Sequence, residues 1–414
     1  MSKNLKLPFN KKRAEEIIAE FGSPIYVYDE VGIRTNARLL KTNFNWARGY
    51  KNFFAVKATP TPAILKILQE EGMGFDCSSR TELTIMQRMA IIGEDIFFTS
   101  DNTRKEDFEL AIKLGATVNI DDLTQVPVFL KALNGRSYNR VAVRYNPGDL
   151  KTGNTIIGEP VEAKYGMSTD QLVEAFKTLK GQDIKEFGIH AMVASNELEP
   201  NYFADTAQLL LDAALRIEAE AGIELSFINL GGGFGVNYLP DQAPFDVEAA
   251  AAEIRDVLTK RDKTDLRVFT ENGRFVTGPH GYLLTKAQYV MEKYKNYVGV
   301  DASMHNLMRP GMYGAYHHIT ILGKENEPNN VQYDIVGSLC ENNDKFAINR
   351  KLPEVKSGDL LVIHDVGAHG HAMGFNYNGI PRSAEVLLHQ NGSISLIRNA
   401  ETIEQVLQNV VWSF

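Results

Sequence analysis

A parallel (β/α)8 barrel followed by an antiparallel β domain is the fold this 414-residue sequence predicts. Three observations predict it. Eight short β-branched or aromatic runs begin at Lys51, Gly74, Asp95, Thr117, Arg140, Phe187, Phe227 and Val268, and every gap has room for a helix. The first gaps carry helix start and stop signals. After about residue 282 that rhythm gives way to strands separated only by Gly, Pro and Asn turns.

Taken in order, the first 30 residues contain "PIYVYDE", a strand suited to the second domain. The expected division is therefore 31–282 for the barrel, and 1–30 with 283–414 for the β domain. In the barrel, Thr61-Pro62 opens the first intervening helix, and "SRTE" from Ser79 and "TRKE" from Thr103 read as capping boxes for the next two. Gly72, Gly93 and Gly115 are placed to close them. Ile64, Leu65, Ile67 and Leu68, then Phe108, Ala111, Ile112 and Leu114, give an inward apolar stripe. Eight repeats favour a closed barrel over an open doubly wound sheet. Beyond residue 282, "HHITIL", "VQYDIVGSL", "DLLVIHDV", "AEVLLH" and "SISLIRN" supply the β domain.

Composition narrows the function. Apolar residues are 44%, charged residues 23% and the net charge is −8, with no basic stripe, so a nucleic-acid partner is not expected. "MSKNLKLPFN" lacks the apolar centre of a signal peptide and no 18-residue apolar run is present, so the expected location is the cytoplasm, without a membrane partner. Cys77 and Cys340 form neither a disulfide framework nor a metal knuckle. Cys77 reads as a small core residue. His317, His318, His364 and His371 lack ligand spacing, so no metal is expected.

The unusual residues collect at the carboxyl ends of the strands, where barrels carry catalysis. Lys57 ends "KNFFAVKA". A lysine buried in a strand is costly unless its amine is used, and such an amine can attack an aldehyde such as that of pyridoxal phosphate; the alternative is a lysine snorkelling to solvent. Asp76 to Ser79 end the second run and His190 to Ser195 follow the sixth. Gly231, Gly232 and Gly233 in "NLGGGFGV" suit either an anion cradle ahead of a helix or a tight turn. In "ENGR", Glu271 and Arg274 are either a surface ion pair or a carboxylate for a protonated pyridine nitrogen with a guanidinium for an anion.

Together the motifs resemble the diaminopimelate decarboxylases, in the pyridoxal-phosphate group that also holds ornithine and arginine decarboxylases and alanine racemases. "FFAVKA", "GFDCSS-TEL", "NLGGGFGV", "ENGR", "VDASMHNLMRPGMYGAYH", "VGSLCENNDKFA" and "GDLLVIHDVGAHGHAMGFNYNG-PRSAEVL" carry the likeness over nearly the whole chain. The resemblance implies pyridoxal 5′-phosphate as cofactor and Lys57 as its internal aldimine. It implies a cofactor site of Asp76, His190, Met192, Ser195, Gly231 to Gly233, Glu271, Asn272, Gly273, Arg274 and His369, with Glu271 facing the pyridine nitrogen. Substrate would be held by Arg274, Arg309, Tyr313, Glu341 and His369. Cys340 would donate the proton from the neighbouring subunit of a homodimer with shared active sites. The implied reaction converts meso-2,6-diaminopimelate to L-lysine and carbon dioxide.

Four positions depart from the family pattern. Met192 stands where a histidine stacks on the cofactor, Ala194 where a glycine is usual, Asn272 where proline is usual, and His369 where a tyrosine is usual. A thioether can pack on an aromatic ring, and His190, two residues away on the same strand face, can compensate in part. The alternatives are a decarboxylase of another basic or amino-dicarboxylic acid, and a non-catalytic cofactor-binding homologue.

Overall fold

The computed structural model describes residues 5–153 and 156–413; the first four residues of the expected β domain lie outside that range. The chain forms two compact units. One comprises Arg34–Val236 with Pro244–Phe275; the other comprises the chain up to Ile33, Asn237–Ala243 and the chain from Val276 onward. The first strand, β1 (Ile25–Asp29), belongs to the latter.

The first unit is a closed parallel barrel of β2 (Lys51–Ala55), β3 (Gly74–Cys77), β4 (Ile96–Thr99), β5 (Thr117–Ile120), β6 (Tyr138–Tyr145), β7 (Ile184–Ala191), β8 (Phe227–Asn229) and β9 (Arg267–Thr270), with β9 pairing back onto β2. Its lower interior is aromatic. Phe53, Phe97, Phe227 and Phe269 pack with Ala142, the Phe53–Phe97 and Phe227–Phe269 centroids lying 5.2 and 4.9 Å apart. Each buried ring contributes on the order of 1.5–3 kcal/mol from burial. Room for them comes from glycine: a Cβ on Gly188 would stand 2.2 Å from the Phe227 ring.

The helix Pro62–Glu70 starts at Thr61 with proline in its first turn, and Ser79 caps Arg80–Arg88 by accepting from the Glu82 amide at 3.2 Å. Two expectations fail locally. The box at Thr103 does not form, because the Thr103 hydroxyl donates to the Ser100 carbonyl and Lys105–Leu114 starts from Arg104 without a side-chain cap. Gly93 does not close a helix either. Arg80–Arg88 ends at Met89, and Gly93 opens the short turn leading into β4.

The second unit is a nine-stranded sheet containing β1, β10 (Gly281–Glu292), β11 (Asn296–Val300), β12 (Ile319–Ile321), β13 (Val331–Val336), β14 (Lys345–Leu352), β15 (Leu360–Ile363), β16 (Ala384–Leu388) and β17 (Ile394–Arg398). Most neighbours are antiparallel, as expected, but β1 pairs with β16 and β11 with β13 in parallel. Parallel neighbours need a long crossover, and the chain supplies one in each case. Alternate residues Ile25 and Val27, Tyr282 and Leu284, Leu360 and Val362, and Ala384 and Val386 point to one face. Phe9, Ala14 and Ile17 cover that face, the last two from the helix Lys11–Phe21.

Candidate active site

Lys57 is not a buried strand lysine. It follows β2 in the short turn Val56–Ala58, and its side chain is 51% exposed, with Nζ 3.8 Å from the Asp76 carboxylate. Asp76, on β3, is buried, and its Oδ1 meets no described hydrogen-bond donor. Burial, reinforced by the nearby Glu271 charge, pushes the Asp76 carboxyl well above the usual carboxylate range.

Glu271 follows β9 and is also buried, but it is surrounded by donors. Asn229 donates Nδ2 to its Oε1 at 2.7 Å, and the His190 Nε2 lies 3.2 Å from its Oε2. Strand register makes this possible: His190 of β7 stands opposite Asn229 of β8, and the Glu271 amide donates to the Gly231 carbonyl at 2.7 Å. Burial pushes Glu271 upward, yet His190, Lys57 and Asn229 outweigh it and hold the carboxyl below its usual range. Burial likewise pushes the His190 imidazole down, against the pull of Glu271. The two carboxylates are thus driven apart, one toward the acid form and one toward the anion.

The glycine run after β8 is a cradle. Gly231 and Gly233 have φ of 66° and 119°, and a Cβ on Gly232 would stand 2.7 Å from the Glu271 carbonyl, so side chains are excluded at all three positions. No helix follows directly; the next begins at Val247. The Met192 sulfur lies 3.2 Å from the Gly232 amide. Asn272 does more than replace a proline: its Oδ1 accepts from the Phe234 amide at 3.1 Å, tying the cradle to the end of β9, while its buried Nδ2 meets no described acceptor. Gly273 closes against Ala55 and Ala58, and Arg274 Nη2 donates to the Ser195 hydroxyl at 3.4 Å.

Two contributors were missed in the sequence. Asn52, at the start of β2, holds the Asn272 backbone on both sides, accepting from its amide at 2.8 Å and donating to its carbonyl at 3.2 Å. Arg144, at the end of β6, joins Asp121 at 2.9 Å and Asp101 at 3.2 Å, with the Tyr165 ring 4.0 Å from its guanidinium. Burial pushes the Asp121 carboxyl up to about 6, against the pull of Arg144. Neither lies in a recognisable motif: Asn52 is near the start of β2 and Arg144 near the end of β6.

The remaining expected residues lie in the β unit. Arg309 is buried, with Nη1 donating to the Tyr238 hydroxyl at 2.7 Å and 3.4 Å from the His317 Nε2. Tyr313, four residues on, is half exposed. Cys340 and Glu341 are exposed; the Cys340 amide donates to the Asn378 side chain at 2.9 Å, and Glu341 accepts from the Asn343 amide at 3.0 Å. His369 is half-buried at φ 55°, in the loop after β15. Cys77 is buried in β3. Among the described residues no cluster of His, Cys, Asp and Glu forms a metal site, and no helix is long and apolar enough to cross a membrane.

Known proteins are similar to this chain over most of its length. A family model described as the pyridoxal-binding domain of pyridoxal-dependent decarboxylases matches residues 31–278. Protein TabA of Pseudomonas amygdali pv. tabaci is 38% identical over 96% of this chain and 93% of its own. The diaminopimelate decarboxylase of Methanothermobacter thermautotrophicus is 33% identical over 96% of this chain and 94% of its own. The crystal structure of the M. jannaschii diaminopimelate decarboxylase with L-lysine superposes with a TM-score of 0.90 at 31% identity, covering 96% of this chain and 94% of that one.

Proposed function

The chain belongs to the pyridoxal-dependent decarboxylase family, whose cofactor is pyridoxal 5′-phosphate, and on that premise we propose that it decarboxylates meso-2,6-diaminopimelate to L-lysine. The carrying observation is the buried Glu271 held between His190 and Asn229 at the barrel mouth where Lys57 stands over Asp76. The site residues fit the cofactor. Buried Asp76 Oδ1, His190 Nδ1 and Asn272 Nδ2 are polar atoms without a described protein partner, beside a glycine cradle that admits no side chain.

When bound, the cofactor supplies an electron sink for the pair left on the α-carbon as carbon dioxide departs. Lys57, whose amine stands clear of the packed interior, would hold the cofactor through its aldehyde. Glu271, kept anionic by its donors, would hold the proton on the pyridine nitrogen. Gly231, Gly232, Gly233, Ser195, Gly273 and Arg274 would hold the phosphate, with Asn272 fixing the cradle and Met192 beside it. The cofactor-binding unit is the barrel.

Arg309, Tyr313, Glu341 and His369 hold the substrate, with Arg274 on a carboxylate. Cys340, contributed across a homodimer, delivers the proton that replaces the lost carboxylate. The cytoplasm is the expected place for this chemistry. A second reading, decarboxylation of another basic or amino-dicarboxylic acid, draws on the Met192 sulfur standing at the Gly232 amide.

Chiral product analysis tests both readings. Purified protein with pyridoxal phosphate and meso-diaminopimelate should release L-lysine and carbon dioxide in equal amounts, with at least about a 10³-fold loss in Lys57→Ala. No lysine from protein that binds the cofactor sinks the first reading, and turnover of a different basic or amino-dicarboxylic acid would establish the second.

A further inference from the structure

The β unit contains a cavity of about 690 Å³, within the range of pockets that hold small organic ligands. Leu7, Phe9, Ile319 and Ile321 give it apolar wall; Arg350 and Lys351 give it charge. Arg350 is partly buried. Arg34, Arg140, Arg144 and Arg382 each meet at least one carboxylate. Arg350 meets none among the described residues. Its Nη1 donates to the His317 carbonyl at 2.9 Å, and its guanidinium lies 4.0 Å from the centre of the Tyr316 ring.

Withdrawing a guanidinium from water without a counter-charge is costly, and here burial pushes its pKa down. Stacking on Tyr316 leaves the remaining N–H groups of the planar fork available for a bidentate acceptor. The rest of the wall adds positive charge. Lys351 is exposed beside it, and Lys6 and Lys324 also line the cavity, Lys324 already pairing with Asp359 at 2.7 Å. Among the described residues Glu325 is the one lining acid, and it accepts from the Gly323 amide at 2.9 Å.

We propose that this cavity is a second small-molecule site, in which Arg350 takes the carboxylate or phosphate of an organic anion whose body rests on Leu7 and Phe9. The site does not depend on the decarboxylase reading, because none of its residues belongs to the barrel mouth.

Calorimetric titration of the cofactor-loaded protein with citrate and with glycerol 3-phosphate tests it and separates carboxylate from phosphate. Saturable binding of either is expected, weakened at least about tenfold by Arg350→Gln and by a smaller factor in Lys351→Glu. Lys351 lies exposed on the wall, so its variant decides the matter if Arg350→Gln does not fold. Absence of binding by both anions at millimolar concentration, or binding that neither variant alters, overturns the proposal.

Discussion

Most of the expected site residues differ in burial between the two units. At the barrel mouth, Asp76, His190, Asn229 and Glu271 are buried, and strand register holds Glu271 between two partners within 3.2 Å. In the β unit, Cys340, Glu341 and Tyr313 project from loops or a short helix and are half to fully exposed. Strand ends in a closed barrel must converge, so chemistry placed there is preorganised by the fold itself. Loop residues carry no such constraint, and their roles depend on what they meet in solution.

The largest test of this contrast is Glu271→Gln. It keeps the shape and one acceptor but removes the anion that His190 and Asn229 surround, so kcat should fall about 10²–10³-fold. Because the group is buried, urea unfolding should also report a change on the order of 1–3 kcal/mol. Normal turnover would mean that the buried carboxylate is structural.

Cys340→Ala comes next. Turnover should drop by about 10²-fold or more through loss of the proton donor, with the urea midpoint unchanged because the thiol is exposed. A midpoint shift without loss of turnover would reverse the contrast between the units.

The smallest effect is in pH dependence, and it has opposite sign in the two units. Asp121 is raised from 3.8 to about 6, so the folded protein binds its proton more tightly than the unfolded chain, and this contribution weakens stability as pH rises through that window. In the β unit, partial burial pushes Glu401 up, but hydrogen bonds from Arg382 and Asn376 hold it down at about 2, below its usual 4.5. Its contribution is present above that usual value and is lost as pH falls toward 2. Unfolding curves from pH 2 to 7 should therefore show Asp121→Asn flattening the upper window and Glu401→Gln the lower one; identical profiles for both variants would refute the assignment.

Much of this was legible without a structure. The spacing of apolar runs encodes eight strand–helix units, and because parallel strands place their loops at one end, Lys57, Gly231 to Gly233, Glu271 and Arg274 could be placed together there, while their roles came only from the resemblance to the family. The parallel pairings of β1 with β16 and β11 with β13 were not, since local patterning is blind to which distant strand a segment will meet. Nor could the sequence tell that Lys57 stands half exposed, that Asn272 anchors the cradle, or that Asn52 and Arg144 serve the same mouth. Residue type and spacing specify which chemistry a chain carries. Burial, register and the choice among competing hydrogen-bond partners arise only when segments hundreds of residues apart are packed together, and those decide the charge each group holds.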